Sequence, residues 1–272
     1  MGKFDGILLC TDLDDTLLTT DKQISEENKH AIEYFKKEGG LFTFATGRVV
    51  AGARIMLEYI TPNAPMICFN GAGIYDFNRN KMLWSAFLDE DAIKVAEFVD
   101  REFPQAGIEV CTETKVYFSK TNRLLREHQM IEKLPDNFMD YHEIPETWQK
   151  VIFMVEEYDI PAIKKLLQES EFAEKYTFIQ SSPYYYELLP KNSSKGAGLL
   201  KLAELLRIDP KKTVGMGDNE NDLSLIQLAG TGIAVANAIP EVRAAADYIT
   251  VDNNSHAVSA VIRAINDGNI AI

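Results

Sequence analysis

Residues 7–18 read Ile-Leu-Leu-Cys-Thr-Asp-Leu-Asp-Asp-Thr-Leu-Leu, and no other stretch narrows the possible folds so far. The apolar run Ile7 to Cys10 reads as a buried strand. It meets three carboxylates within four residues: Asp12, Asp14 and Asp15. Buried carboxylates are costly unless they are paired or bind a metal. Side chains two apart on an extended backbone point the same way, so Asp12 and Asp14 can share one site while Leu13 faces into packing. Two carboxylates at a strand's carboxyl end suit a hard divalent cation and, with it, phosphate chemistry. Taken alone, the stretch reads equally well as an acidic turn.

A second acidic strand end lies near the other end of the chain. The run 212–216 leads into Gly217-Asp218-Asn219-Glu220-Asn221-Asp222, and Leu223, Leu225, Ile226 and Leu228 then recur at helical spacing. If the two strands are neighbours, Asp218 and Asp222 join Asp12 and Asp14. Two acidic loops on equivalent strand ends make a metal site the better reading. The segments around these loops alternate strand and helix. Strands are expected at 7–10, 41–45 and 66–69, with helices from Ser25 to Gly39 and over 49–59. Helices at 195–207, 220–229, 240–246 and 256–266 then alternate with strands at 212–216, 232–235 and 247–251. Such alternation implies an α/β fold with a doubly wound, Rossmann-like parallel sheet.

The middle of the chain differs. Strand-like runs cluster at 82–87, 107–112, 115–119, 150–155, 176–181 and 184–189, with helical patterns at 89–102, 121–133 and 159–173. The short polar turn between Val110-Cys111 and Val116-Tyr117-Phe118 suggests a hairpin. An inserted α+β cap domain over 83–188 is expected, between the two halves 1–82 and 189–272 of one core domain. The run Tyr184-Tyr185-Tyr186 reads as packing, with Tyr185 facing away from its neighbours.

Two further residues stand out by position. Thr46-Gly47 closes a strand and opens a helix, where backbone donors form a natural phosphate cradle and glycine permits close approach. The bland reading of Thr46 is a helix cap. Lys195 opens a helix, where a cation opposes the macrodipole and its placement needs a reason; otherwise it is an exposed lysine.

Asp12-Leu13-Asp14-Asp15-Thr16, Thr46-Gly47-Arg48, Lys195 and Gly217 to Asp222 resemble, in order, the four motifs of the haloacid dehalogenase (HAD) superfamily. Asn70-Gly71-Ala72 and Gly232 to Ala238 are similar to its Cof-type, subfamily IIB sugar-phosphatase branch. Asp15 departs from the pattern, since many relatives carry glycine there. The resemblance implies a HAD core with a large cap between motifs II and III. It implies that Asp12 attacks phosphorus to form an aspartyl-phosphate. Asp14 protonates the leaving oxygen and then takes a proton from water, which requires a raised pKa. Asp12, the backbone carbonyl of Asp14, and Asp218 would hold Mg2+, with Asp222 behind them orienting water or Lys195. Lys195 neutralises charge, and Thr46, Gly47, Lys195 and Asn221 contact the phosphate. For Asn221 and Asp222 a helix cap is the competing reading.

The expected activity is therefore Mg2+-dependent hydrolysis of small phosphate monoesters, with sugar phosphates foremost. A phosphomutase of the same superfamily and a non-catalytic phosphometabolite-binding regulator are the alternatives. The formal net charge of −13 argues against nucleic acid or anionic membrane as a partner and leaves a small phosphorylated metabolite. Cys10, Cys68 and Cys111 sit mostly in apolar runs, which fits free thiols in a reducing cytoplasm. The chain shows no apolar signal region and no stretch long enough to span a bilayer. The oligomeric state is left open.

Overall fold

The apolar runs form strands in three groups along the chain in the computed structural model, which describes residues 2–272. Strands β1 (Leu8–Thr11), β2 (Leu41–Phe44), β3 (Met66–Cys68), β4 (Gly73–Asp76) and β5 (Lys81–Ser85) come first. Strands β6 (Gly107–Thr112), β7 (Val116–Lys120), β8 (Trp148–Met154), β9 (Thr177–Ser182) and β10 (Tyr185–Leu189) follow, and β11 (Thr213–Gly217), β12 (Thr231–Ala234) and β13 (Tyr248–Ile249) close the chain. Contacts divide the structure into two units. One contains the chain up to Gly47, Ala53–Trp84 and Ser194–Ile272; the other contains Arg48–Gly52 and Ser85–Ser193.

In the first unit a parallel sheet runs β13-β12-β11-β1-β2. All of β1 is buried, as expected for a parallel strand covered on both faces. Leu8 and Cys10 pack with Leu199 and Leu202 of the helix Lys195–Leu206, so Leu9 faces the opposite side. The helix Glu26–Lys37 starts where Ser25 Oγ accepts the Asn28 N–H at 3.2 Å, and it buries Ile32 and Phe35. It packs on the C-terminal helix Ala257–Asn266.

Two expectations for the first ninety residues are corrected. The run at 82–87, expected in the middle segment, instead forms β5, an outer strand of a separate sheet β3-β4-β5. Strand β4 has no counterpart in the expected pattern. Its hairpin is made by Asp76, whose Oδ1 accepts the N–H groups of Asn78 and Arg79, and by Asn80 at φ 49°. The helix expected over 49–59 breaks into an α segment, Val50–Arg54, and a 3-10 segment, Ile55–Glu58. Gly52 weakens it from within, and Pro62 lies just beyond.

The second unit is an antiparallel sheet in the order β7-β6-β8-β10-β9. Strands β6 and β7 form the expected hairpin. One face carries Ile108, Val110, Val151 and Phe153 against the helices Ala92–Glu102 and Ile160–Gln168. Tyr186 lies in this core, stacked near Phe178, whereas Tyr184 is a turn residue. The helix expected to reach 173 ends at Gln168 because Ser170 competes with the backbone: its Oγ donates to Leu167 O at 2.7 Å and accepts from Phe172 N–H. Cys10, Cys68 and Cys111 are buried free thiols. Among the described residues no helix is long and apolar enough to cross a membrane.

Candidate active site

The two acidic strand ends are neighbours. Strands β1 and β11 pair in parallel with Thr11 opposite Met216, and Asp12 N–H donates to Met216 O at 2.9 Å. That register sets Asp12 beside the loop that follows Gly217. The chain after Asp12 makes one wide turn, Leu13–Leu17, closed by Leu18 N–H on Leu13 O at 2.8 Å. Leu13 and Leu17 are buried, so the turn is pinned by its apolar side. Its polar side is irregular: Asp14 is extended (φ −73°, ψ 131°) and Asp15 is left-handed (φ 56°, ψ 13°).

Lys195 joins the strand ends. Its ammonium donates to Asp12 Oδ1 at 2.5 Å and to Asp222 Oδ1 at 2.6 Å, and the side chain is 1% exposed. The helix start that carries it is set by Ser194, whose Oγ accepts the Ala197 N–H. Asp222 is fully buried and does two jobs at once. Its Oδ2 accepts the N–H groups of Asp218 and Asn219 at 3.0 and 3.1 Å, closing a capping box, while Oδ1 holds Lys195. The cap reading and the site reading of Asp222 are therefore compatible. Gly217 is required beside it, because a Cβ there would lie 2.4 Å from Asp222 Cβ. Asp218 accepts from Thr16 Oγ1 at 2.8 Å, which ties the second acidic loop to the first.

One carboxylate oxygen from each of Asp12, Asp218 and Asp222 lies within 4.8 Å of the others. Lys195 pairs with Asp12 and Asp222 while Asp218 lies beside them, and the electrostatics register the excess of acids. Burial and then Asp222 push the Asp12 carboxyl well above the usual carboxylate range, against the pull of Lys195. Burial and then Asp222 push Asp218 up to about 7, although the Thr16 hydrogen bond opposes the change. Burial works against the Lys195 ammonium, but Asp12 and Asp222 outweigh it and its pKa is raised.

The Asp14 carboxylate is not a member of this cluster. It lies 3.2 Å from the Lys22 ammonium, which also stands 3.5 Å from Asp15. Thr46, Gly47 and Asn221 are brought together by a residue missing from the expected set, Asn70. Asn221 Nδ2 donates to Asn70 Oδ1 at 3.1 Å, and Asn70 N–H donates to Thr46 O at 3.0 Å. A Cβ on Gly47 would lie 2.8 Å from Asn70 Nδ2, so only glycine fits this approach. Asn-Gly after a strand is the sequence signal for Asn70. Nothing in the local pattern points to Lys22; Asn237, whose Nδ2 donates to Asp15 O at 2.8 Å, lies in the Gly232 to Ala238 stretch that carries the resemblance, which implies no role for it.

The donor set fits a divalent oxygen-seeking cation. Both oxygens of Asp222 are committed to protein donors, and the one positive charge of Lys195 does not balance Asp12, Asp218 and Asp222 together. Mg2+ bound through one or two carboxylates would supply that compensation.

Comparison with known proteins agrees with this geometry. A Streptococcus pyogenes serotype M6 protein is 31% identical over 265 residues, covering 94% of this chain and 97% of its own length. A 5-amino-6-(5-phospho-D-ribitylamino)uracil phosphatase of Bacillus subtilis is 30% identical over 256 residues, covering 94% of each chain. Among solved structures, the HAD subclass IIB sugar phosphatase BT4131 superposes with a TM-score of 0.83 at 19% identity, covering 97% of this chain and 100% of that one, a likeness of fold alone. The profile of haloacid dehalogenase-like hydrolases matches residues 9–262. That span takes in both acidic strand ends and everything between them, and the chain belongs to the haloacid dehalogenase-like hydrolase family.

Proposed function

We propose that this hydrolase is a Mg2+-dependent phosphatase of small phosphate monoesters, acting through an aspartyl-phosphate on Asp12. The observation that carries the reading is the buried Asp12–Lys195–Asp222 bridge beside Asp218. A carboxylate attacking a phosphate dianion needs positive charge at the point of attack; Lys195 supplies one such charge against Asp12, and a divalent cation would supply the rest. In the first step an Asp12 oxygen forms a bond to phosphorus, the bond from phosphorus to the leaving oxygen breaks, and Asp14 gives that oxygen a proton. In the second step Asp14 takes a proton from water, the water oxygen bonds to phosphorus, and the bond to Asp12 breaks, releasing inorganic phosphate. Lys195 stabilises the charge on Asp12 and the phosphoryl oxygens throughout. Thr46, Gly47 and Asn221 hold the phosphoryl group, with Asn70 fixing Asn221. Asp12 and Asp218, with the Asp14 carbonyl, would hold Mg2+, which supplies charge neutralisation when bound.

For substrate, phosphorylated sugars and sugar alcohols are the class we propose. One relative is named for a phosphoribityl compound and one structural neighbour for sugar phosphates, so both names describe phosphate on a polyol carbon. Selection among leaving groups falls to the second unit, a Cof-type cap in this reading. The setting is cytoplasmic, with no nucleic-acid or membrane partner. A phosphate-release screen over phosphorylated metabolites, with and without Mg2+, tests the proposal. Release of inorganic phosphate that Asp12→Asn abolishes is expected. A phosphorylated isomer accumulating without phosphate release would instead make the chain a phosphomutase.

A further inference from the structure

The helices Glu26–Lys37 and Ala257–Asn266 leave a groove whose two ends are tied across and whose middle is open. At one end Glu27 Oε2 stands 3.6 Å from His256 Nδ1. At the other, Tyr34 Oη donates to Asn266 Oδ1 at 3.2 Å, and the Lys3 ammonium donates to both oxygens at 2.9 and 3.1 Å. Between the ties Asn28 Oδ1 accepts the Ser259 N–H at 2.9 Å. Partners advance together along the chain, so the two helices run in the same direction. The space between the ties is a cavity of about 300 Å3, at the lower end of small-molecule sites. Ser259 lines it and is 1% exposed, yet its Oγ has no hydrogen-bond partner. The Nδ2 of Asn28, whose Oδ1 takes the Ser259 N–H, is a second buried atom without one. Buried polar groups are nearly always satisfied, so two such atoms at one contact call for a ligand atom or a water.

We propose that this groove is a second binding site, for a small organic carboxylate: its apolar body lies between Ala31 and Ile262, and its anionic end meets Arg263 and the Ser259 hydroxyl. Arg263 lines the cavity four residues beyond Ser259, so the two side chains share one face of their helix. Among the described residues none pairs with the Arg263 guanidinium by hydrogen bond or ion pair. A permanent cation and an orphaned buried hydroxyl on one wall are complementary to an oxyanion, since both can donate to it. The facing wall, with Ala31 and the ring of Tyr34, offers apolar surface, and Ile262 adds more from the side of Arg263. The charges at the two ends orient the ligand. Lys3 stands at the Asn266 end and Glu27 at the other, so a carboxylate is drawn away from Glu27 and a cationic ligand gains nothing from Arg263. All of these residues belong to the first unit and none belongs to the acidic cluster at Asp12, so the site is separate from the chemistry proposed above.

The test titrates the full chain with three probes of one shape, 4-fluorobenzoate, 4-fluorobenzyl alcohol and 4-fluorobenzylamine, and reads Kd from the fluorine NMR signal. 4-Fluorobenzoate is expected to bind with a Kd of about 1 mM, and the alcohol and the amine at least about tenfold more weakly. Arg263→Gln should weaken fluorobenzoate by about fivefold or more, and Ala31→Leu, which fills the cavity, should abolish binding. Ser259→Ala should weaken it by about threefold while the melting temperature of the free protein stays level or rises, because the variant removes an unsatisfied buried group. Asp12→Asn, at the candidate active site, should bind the probe as wild type does. Fluorobenzoate binding that survives all three groove substitutions, or that Asp12→Asn removes, places the probe elsewhere and overturns the proposal. A Ser259→Ala variant with a lowered melting temperature and unchanged affinity makes the hydroxyl structural and overturns it as well. Binding of none of the probes makes the groove a hydration site only, and equal binding of all three removes the selection for an anion; either result also overturns it.

Discussion

Each unit buries a cluster of charge, and the two are built on opposite principles. In the first, Lys195 bridges Asp12 and Asp222, and Asp218 lies in the same acidic cluster beside them. In the second, on the face of its sheet away from the apolar core, Lys150 pairs with Glu187 at 3.2 Å and His128 with Glu109 at 3.4 Å. The second cluster balances. Glu109 lies below the usual range because His128 and Lys150 outweigh its burial, and Lys150 is raised because Glu187 and its neighbours outweigh burial there. The first cluster does not balance, and its carboxyls are pushed upward. Opposite shifts separate a set of charges that satisfies itself from one left with an excess of carboxylates, which under the proposed function a cation and a phosphoryl group would meet.

The comparison breaks most visibly at Asp12. Asp12→Asn is expected to lower kcat by at least about a thousandfold while circular dichroism and the melting temperature stay near wild type. Folded Asp12→Asn that still turns over removes the first cluster's claim to chemistry.

Next in size is the second cluster's own balance. Lys150→Met removes the ammonium beside the buried Glu187 carboxylate and should cost about 3–5 kcal/mol of stability in urea unfolding, whereas Lys150→Met with Glu187→Leu should return to within about 1 kcal/mol of wild type. A double variant as unstable as the single one would show that the pair does more than satisfy itself.

Mg2+ sharpens the contrast through pH. The folded pKa of Asp218 is raised to about 7, so the folded protein holds a proton that an unfolded chain releases above about pH 4. Stability without Mg2+ therefore declines as pH rises from about 4 to 7 on account of this group. Mg2+ competes with that proton. The stabilisation it brings, about 2.7 kcal/mol at a hundredfold excess over Kd, should be fully present above pH 7 and shrink towards pH 5. Thermal melts with and without Mg2+ across that range read the effect directly; a shift that does not grow with pH contradicts it.

The smallest expected effect is at His128. Burial lowers its pKa, but Glu109 more than compensates and the folded value is raised. Its contribution is complete below the unfolded pKa of about 6.5 and disappears as pH rises through the folded value. His128→Gln should flatten the stability profile above pH 6.5 and leave the Mg2+ response of the first cluster as it is.

Much of the first cluster is legible in the sequence alone, because each of its carboxylates follows a short apolar strand and the strand ends announce themselves. Asp12 and Asp218 need only the inference that β1 and β11 are neighbours. Asp222 is legible twice over, as a cap and as a partner for Lys195, and it is both. The second cluster is not legible. Glu109, Lys150 and Glu187 sit inside strand-like runs, where alternation says that they share a face but not that the face is covered. Strand β5 is misplaced by its pattern for a related reason: a strand's period gives its faces and not its partners.

The residues by themselves determined the local pieces: the parallel-sheet alternation, the two acidic strand ends, the glycine at position 47 and the lysine at the start of its helix. These follow from the period of apolar residues and from backbone preference, which act over a few positions. Only the tertiary structure decided that one ammonium would bridge two carboxylates with a third beside them, that Asn70 would meet Asn221 across 151 positions, and that Asp14 would turn to Lys22 instead of the cluster. Those outcomes depend on strand register and on the direction of individual side chains, which are set when distant segments pack and cannot be summed from neighbours in the chain.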